Sequence, residues 1–281
     1  MEIIFDNENH LSIEPRYIKH RRRHPTMTDV RFITDEIILC ASFVGCSLMF
    51  YNIKENKHIS KTYTYVKGKK AVIDLISICD DYVYVSHIDE KCIGKYMLNH
   101  DFTITFIDTI STSKHGRPHG IFVKNNDVFY TTIDVESIIL NDTTIYVHPE
   151  TSQMTSVVLF DEFLIAGGTY TPVTAKGRSA IKIKSFFVIM KKNDNRYDFI
   201  KCIDVDNARY DGLSIRDNKI YICDQYNDKV DIYELVKDKD MLNLIKIKHV
   251  GGFPMCHGCD FYNGKLAATC YETNSIIVVS N

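Results

Sequence analysis

The sequence lacks the features that would mark it as a membrane or secreted protein. No stretch of its 281 residues approaches the ~18 consecutive apolar residues that a membrane span requires. The N-terminal residues Met-Glu-Ile-Ile-Phe-Asp have neither a basic start nor an apolar core, so we expect no signal peptide. These absences favour a cytoplasmic protein that does not associate with a membrane.

Disulfide and zinc-finger signatures are also missing. The nine cysteines are odd in number, and most lie inside apolar segments, as buried free thiols do in a reducing compartment. Cys256-His257-Gly258-Cys259 has the form of a metal knuckle, but no second Cys/His pair has zinc-finger spacing. The sequence therefore favours neither a disulfide framework nor a structural zinc.

Charge and short motifs exclude further classes. With 34 basic and 36 acidic residues the net charge is −2, and no basic stripe alternates with aromatic residues, so nucleic acid is not favoured as a partner. No nucleotide or flavin cofactor motif is present. Ser156 lies outside any Gly-x-Ser-x-Gly elbow, which argues against serine hydrolysis.

What the sequence does contain is a short phrase that occurs six times. Each copy begins with an ionisable or hydroxyl residue, continues with an apolar run, and is followed by a polar turn pair and a second apolar run. The six first residues are Asp29, Asp74, His119, Ser156, Asp211 and His257. Repetition of short strands along the whole chain is typical of a β-propeller.

We therefore predict an all-β fold consisting of one six-bladed β-propeller. A blade cannot bury its faces alone, so six copies that fill the chain indicate one closed domain. The last copy ends after its third strand, and residues 2–5 are predicted to supply its outer strand and close the ring. The predicted blades are residues 25–66, 70–108, 115–148, 153–204, 208–248, and 253–281 together with 1–6.

Two copies carry a family resemblance. They read Pro118-His-Gly-Ile-Phe-Val with Asp127-Val-Phe-Tyr, and Asp211-Gly-Leu-Ser-Ile with Lys219-Ile-Tyr-Ile-Cys-Asp. They resemble NHL-type repeats and the inner-strand repeats of the gluconolactonase/senescence-marker and virginiamycin-lyase-like propellers. The resemblance implies a six-bladed propeller. It also implies either a metal-dependent lactonase or lyase, with the metal in the central channel, or a pure binding module.

If the six first residues are equivalent, they form a ring at the channel mouth. Three carboxylates so close together would repel, and burying them unpaired would cost several kcal/mol. Protonated histidines, Arg31, Arg117 or a bound cation could compensate. Two imidazoles with carboxylates suit Zn²⁺, Mn²⁺ or Fe²⁺, whereas an all-oxygen set favours Ca²⁺.

We predict that the metal ligands are Asp29, Asp74, His119, Asp211 and His257, and that the catalytic residues are Asp211, His257 and His119. The alternative is that these positions only hydrogen-bond water or neighbouring backbone.

Basic residues gather in loops that we expect at the same mouth. Loops that enter an inner strand and loops that join the second and third strands emerge at one end of a propeller. Residues 14–24 belong to the first kind, and residues 167–184, an expected insertion and mobile lid in the fourth blade, belong to the second. The predicted ligand-binding residues are Arg21, Arg22, Arg23, His115, Arg117 and Arg178. Guanidinium groups suit phosphate and carboxylate, so the expected ligand is a small anion.

The sequence thus leaves two functions open. The first is a metal-assisted hydrolase or lyase that acts on a small anionic substrate, phosphorylated or sugar-acid-like, at the channel mouth. The second is a non-catalytic propeller that binds a ligand or a protein partner through the same face.

Overall fold

The computed structural model describes residues 27–43, 45–150, 152–170, 183–271 and 273–280, together with the backbone of residues 2–3. These residues form six four-stranded antiparallel sheets and one small hairpin, and no described residue is helical. No helix of this part of the chain could therefore cross a membrane. The predicted six-bladed β-propeller is confirmed.

The strands follow one another from the channel outward in each blade. Blades one to three contain β2 (Met27–Phe32), β3 (Ile37–Ser42), β4 (Ser47–Asn52), β5 (Lys57–Tyr63); β8 (Ile76–Cys79), β9 (Tyr82–His87), β10 (Cys92–Leu98), β11 (Ile104–Ser111); and β12 (Pro118–Lys124), β13 (Asp127–Thr132), β14 (Ser137–Leu140), β15 (Thr143–Val147). The hairpin of β6 (Tyr65–Val66) and β7 (Lys69–Lys70) links blades one and two.

Blades four and five have longer outer strands than the first three. Blades four to six contain β16 (Ser152–Phe160), β17 (Phe163–Tyr170), β18 (Lys184–Asn193), β19 (Arg196–Asp206); β20 (Tyr210–Arg216), β21 (Lys219–Asp224), β22 (Lys229–Asp238), β23 (Met241–Gly251); and β24 (Cys256–Tyr262), β25 (Lys265–Cys270), β26 (Ser275–Ser280).

The sixth blade is completed by the N-terminal strand β1 (Glu2–Ile3). Glu2 pairs with Val278 and Ile3 pairs with Ile277, so the outermost strand of the last blade comes from the other end of the chain. This is the predicted closure, over a shorter stretch than residues 2–5. Pairing the two ends covers a sheet edge that would otherwise be open.

The fourth blade differs from the prediction at its insertion. Gly167 and Gly168 do not begin a loop: they lie inside β17, where they pair with Phe187 and Phe186 of β18. A Cβ at Gly168 would lie 2.5 Å from the Phe186 ring, so glycine is required there by packing rather than by a hinge. The predicted lid, with Gly177, falls in residues 171–182, outside the described residues.

Five of the six inner strands are irregular where the repeated phrase begins. The pairing of inner and second strands shifts register at this point in five blades, for example between Pro118 and Ile121 and between Tyr210 and Leu213. Such bulges turn a side chain out of the usual alternation. Here they direct the first residue of the phrase towards the channel.

Glycines let neighbouring inner strands approach at this point. A Cβ at Gly120 would lie 2.5 Å from the Cα of Ser156 in the next blade, and one at Gly212 would lie 2.6 Å from the carbonyl oxygen of His257. Both distances are shorter than real Cβ contacts allow. The ring is tight because the second residue of these phrases has no side chain.

Arg31 links several blades beside the ring. Its Nε donates to the carbonyl of Ile76 at 3.1 Å, Nη1 donates to that of Cys259 at 2.6 Å, and Nη2 lies 3.0 Å from the carboxylate of Asp29. One side chain therefore joins blades one, two and six across the axis. Because guanidinium has five donors and keeps its charge, it can satisfy carbonyls and a carboxylate together.

Asp29 is bound on several sides. Its carboxylate accepts the backbone N–H groups of Val30 at 2.9 Å and Ile76 at 2.7 Å in addition to its pairing with Arg31. Burial raises the pKa of Asp29 to about 6, although Arg31 and the two N–H donors lower it. In the folded protein, Asp29 is therefore mostly protonated below about pH 6.

We predict that Arg31→Met destabilises the protein by about 3 to 5 kcal/mol at pH 8, because it leaves the charge of Asp29 buried and uncompensated. The folded pKa of Asp29, already about 6, should rise further in the variant. A raised carboxyl pKa removes stability as pH increases through it, so the loss should be smaller at pH 5. Urea unfolding at both pH values measures this.

Arg117→Met is the matched control, since it removes a half-exposed guanidinium paired with Asp134. It should cost much less at either pH. Equal losses for the two variants, or a loss for Arg31→Met that does not change with pH, would contradict this role for Arg31.

Candidate functional site

Four of the six ring residues converge on one point at the channel mouth. Nε2 of His119 lies 3.0 Å from Oδ2 of Asp74 and 3.8 Å from Oδ1 of Asp211. Nε2 of His257 lies 3.6 Å from Oδ1 of Asp74 and 3.4 Å from Oδ1 of Asp211. The two imidazole rings are 5.6 Å apart between centroids. All four side chains are buried.

Backbone carbonyls of neighbouring blades orient both histidines. Nδ1 of His119 is 2.7 Å from the carbonyl oxygen of Thr155, and Nδ1 of His257 is 2.8 Å from that of Thr28. Since a carbonyl only accepts, each Nδ1 must carry the hydrogen. Both Nε2 atoms are thereby turned towards the carboxylates, which is the arrangement that metal-binding histidines use.

Each of the two central carboxylates keeps one oxygen without a hydrogen-bond partner among the described residues. Oδ2 of Asp211 accepts the side-chain amide of Gln225 at 2.7 Å, and Oδ2 of Asp74 faces His119. Oδ1 of Asp74 and Oδ1 of Asp211 are buried and unpartnered. Buried acceptors are usually satisfied, so two such oxygens directed at one point form a site that suits a cation or a water molecule.

The charges of the cluster are uneven. Burial raises the pKa of Asp74, but His119 and His257 outweigh it and hold that pKa below its usual value. Burial raises the pKa of Asp211, and the two histidines do not fully offset this. Burial opposes the charge of His119, yet Asp74 and Asp211 raise its pKa to about 10. In the protein alone, a charged Asp74–His119 pair lies beside a less acidic Asp211.

Asp29 and Ser156 do not share this point. Asp29 is bound by Arg31 and the backbone, as described above. The hydroxyl of Ser156 is buried without a hydrogen-bond partner in the described part of the chain, and it lies 2.8 Å from where a Cβ of Gly167 would be. Of the five predicted metal ligands, the structure thus groups Asp74, His119, Asp211 and His257. Ligand atoms of Asp74, His119 and His257 all lie within 4.8 Å of one another.

Sequence reasoning missed Tyr271 and Gln225. Tyr271 stacks on His257, with ring centroids 4.5 Å apart and an angle of 15° between the planes. Both residues directly follow the second strand of their blade, and each N–H donates to the carbonyl two residues before the ring position, Met255 or Arg209. This repeated position was the signal in the sequence that could have found them.

Tyr271 and Arg209 complete the mouth. Burial raises the pKa of Tyr271 well above its usual value, and Asp74 and Asp211 raise it further. Its hydroxyl therefore remains a donor at any physiological pH. Arg209 is exposed, and its charge acts on both Asp211 and Tyr271. The positively charged side chain of Arg209 therefore lies at the entrance to the site.

The predicted basic rim has other contacts where it is described. Nε2 of His115 lies 2.8 Å from the Asp142 carboxylate, and the ring packs edge-on against Tyr130. Nε of Arg117 donates to Asp134 at 2.7 Å. The contacts of both residues are with blade three and include no ring side chain. Arg21, Arg22, Arg23 and Arg178 lie outside the residues that the structure describes.

The cysteines and the histidine of the Cys256–Cys259 segment face two different environments. The thiol of Cys256 is 3.0 Å from the carbonyl of Lys229, and that of Cys259 is 3.4 Å from the carbonyl of Tyr221. Both cysteines belong to the apolar core between blades five and six, whereas His257 faces the channel. All nine cysteines are free, as the sequence suggested.

The fold is shared with enzymes of several kinds. No protein-family model matches the chain, and no curated protein has a matching sequence. A streptogramin B lyase superposes with a TM-score of 0.56 at 13% identity, covering 92% of this chain and 98% of the lyase.

Two further solved structures extend the comparison. A PQQ-bound aldose sugar dehydrogenase from Streptomyces coelicolor gives a TM-score of 0.61 at 9% identity, covering 92% of this chain and 94% of that one. A 6-phosphogluconolactonase candidate from Bacteroides uniformis gives 0.56 at 11% identity, covering 91% and 80%. At such identities the likeness shows the fold alone: the chain is a six-bladed β-propeller whose structural neighbours include these proteins.

Proposed function

We propose that the chain is a metal-dependent hydrolase or lyase that acts on a small anionic substrate at the channel mouth. The observation that carries this is the pair of unpartnered oxygens, Oδ1 of Asp74 and Oδ1 of Asp211, which face the Nε2 atoms of His119 and His257. Two imidazoles with two carboxylates form a donor set suited to Zn²⁺, Mn²⁺ or Fe²⁺. A divalent ion bound there supplies a Lewis acid that polarises a carbonyl or activates water.

The surrounding residues have separate parts in this proposal. Gln225 holds one oxygen of Asp211, which directs the other towards the place where the ion would bind. Tyr271, which remains protonated beside His257, donates a hydrogen bond to the bound substrate. Arg209 holds the anionic group at the entrance.

The structural neighbours are compatible with an enzymatic role. They include a lyase, a sugar dehydrogenase and a 6-phosphogluconolactonase candidate, each on a propeller of this fold. Because one fold carries many unrelated functions, the argument rests on the residues at the channel mouth rather than on this likeness.

One contact favours the second function, a propeller that binds without catalysis. His119 and Asp74 are 3.0 Å apart, and the raised pKa of His119 makes them a charged pair without any ion. A ring neutralised in this way would simply seal the channel. A measurement of metal binding therefore distinguishes the two functions.

We expect the purified protein to bind one Mn²⁺ or Zn²⁺ per chain, and His119→Ala to weaken that affinity more than 100-fold. Loss of an outer-shell partner alone costs about 10- to 100-fold, and loss of a direct ligand costs more. Titration calorimetry on chelator-treated protein measures both values. Melting curves should show that the variant remains folded.

His249→Ala provides the matched control, because His249 is an exposed residue of β23. It should bind metal as the wild type does. Absence of metal binding by the wild type, or equal binding by the two variants, would leave the sealed-channel function as the better account.

We expect Arg209→Met to raise KM for an anionic substrate about tenfold while leaving kcat within about twofold, since Arg209 binds a group that does not react. Sugar-acid lactones and their phosphorylated forms are tested with Mn²⁺-loaded protein. Proton release reports hydrolysis, and absorbance of a new conjugated alkene reports elimination.

Arg196→Met is the control, since Arg196 is an exposed arginine of outer strand β19. It should change neither constant. Turnover that is insensitive to chelator would contradict the metal-dependent mechanism, and an unchanged KM in Arg209→Met would contradict the role of Arg209.

A further inference from the structure

A cavity of about 520 Å³ lies between the outer parts of blades one and two. Its lining comes from the end of β5, the β6–β7 hairpin, the start of β10 and strand β11, and it includes no ring residue. This volume is within the range of small-molecule sites. The proposed reaction at the channel mouth makes no use of it.

Aromatic side chains form much of its wall. Tyr65 and Phe106 are 48% and 50% exposed, so both rings are open to solvent. Phe106 is held from beneath by buried Tyr96, whose ring meets it edge-on at 5.6 Å. Rings that are fixed in place but open to solvent provide a surface on which a planar ligand can stack.

The cavity is also positively charged. Lys67 and Lys91 line it, and the ammonium groups of Lys61 and Lys70 lie 4.6 and 4.0 Å from the ring centre of Tyr63 in its wall. Among the described lining residues, Glu90 is the one carboxylate. This local excess of positive charge contrasts with the chain's overall charge of −2 and favours an anionic ligand.

The β6–β7 hairpin places these groups. Lys67 and Gly68 form its two-residue turn with φ of 50° and 75°, as a tight hairpin turn of this kind requires. The turn holds Tyr65 and Lys67 over the cavity. Among the described links between blades, this is the one that forms a sheet of its own.

We propose that this cavity binds a small phosphate ester that carries an aromatic ring, such as an aryl phosphate or a nucleoside monophosphate. The ring would stack on Tyr65 and Phe106, and the phosphate would lie between Lys67 and Lys91. Lysine binds phosphate as a point charge, whereas paired recognition of a carboxylate uses arginine, and no arginine lines this cavity among the described residues.

Phenyl phosphate, phenol and cyclohexyl phosphate are the probes, with binding followed by calorimetry at low salt. Phenyl phosphate should bind at least tenfold more tightly than phenol, which lacks the charge, and than cyclohexyl phosphate, which cannot stack. AMP and O-phosphotyrosine, compared in the same way, distinguish a nucleotide from a modified amino acid as the natural source.

Two variants test the residues, each with a matched control. Phe106→Ala should weaken phenyl phosphate binding about tenfold, as loss of one stacking surface does. Phe199→Ala removes a ring that is equally exposed, at 51%, on another outer strand, and should have no effect. Lys67→Gln should weaken binding of the phosphate and leave that of phenol unchanged.

Lys239→Gln is the control for Lys67→Gln, because both lysines have φ of 50° in an exposed turn. Equal affinity for phenol and phenyl phosphate, or equal effects of variant and control, would overturn the proposal. Arg209→Met should leave phenyl phosphate binding unchanged, and a loss there would assign the binding to the channel mouth instead.

Discussion

The whole centre of this propeller depends on how three carboxylates are accommodated on one axis. Asp29, Asp74 and Asp211 are all buried, and an isolated buried carboxylate is too costly to persist. Each is stabilised differently: Asp29 by Arg31 and two backbone N–H groups, Asp74 by the histidines, and Asp211 by Gln225 on one oxygen alone. These differences separate Asp29, whose two oxygens are both bonded, from Asp74 and Asp211, which each keep one oxygen without a hydrogen-bond partner among the described residues.

The backbone creates this crowding. Bulges at the start of the inner strands turn the ring side chains inward, and the glycines beside them let strands approach within the space of a missing Cβ. The histidines then bond to carbonyls of the next blade, so their orientation depends on the neighbour as well as on their own strand. The site is therefore a property of the closed ring rather than of one blade.

The repeat in the sequence was sufficient to predict the blades, the closing strand and the ring positions, because a strand repeat has few architectures available to it. It could not tell which ring residues would share a site. Asp29 and Asp74 begin the same repeated phrase, yet only Asp29 has an arginine two residues later. Arg31 pairs with Asp29, which therefore does not join the shared site. Arg31 was one of several possible counter-ions in the sequence, and only the geometry selected it.

A sequence repeat predicts side-chain rotamers and loop contacts less well than it predicts strands. His115 and Arg117 precede an inner strand, as expected, but Asp142 and Asp134 pair with them locally. Tyr271 and Gln225 occupy one repeated position with different chemistry, a ring that stacks and an amide that bonds. Their roles follow from what the ring residue of the same blade needs, which is a tertiary relation.

A proton and a divalent cation are alternative solutions to the same electrostatic problem. With a proton on His119, its pair with Asp74 is neutral, but one oxygen of Asp74 and one of Asp211 stay unsatisfied. A divalent cation would engage these oxygens and both Nε2 atoms at once, releasing that proton. Since the four ligands come from blades two, three, five and six, such an ion would bind only the closed ring and stabilise it over any open form. The same buried charges would then link metal binding at the site to closure of the ring.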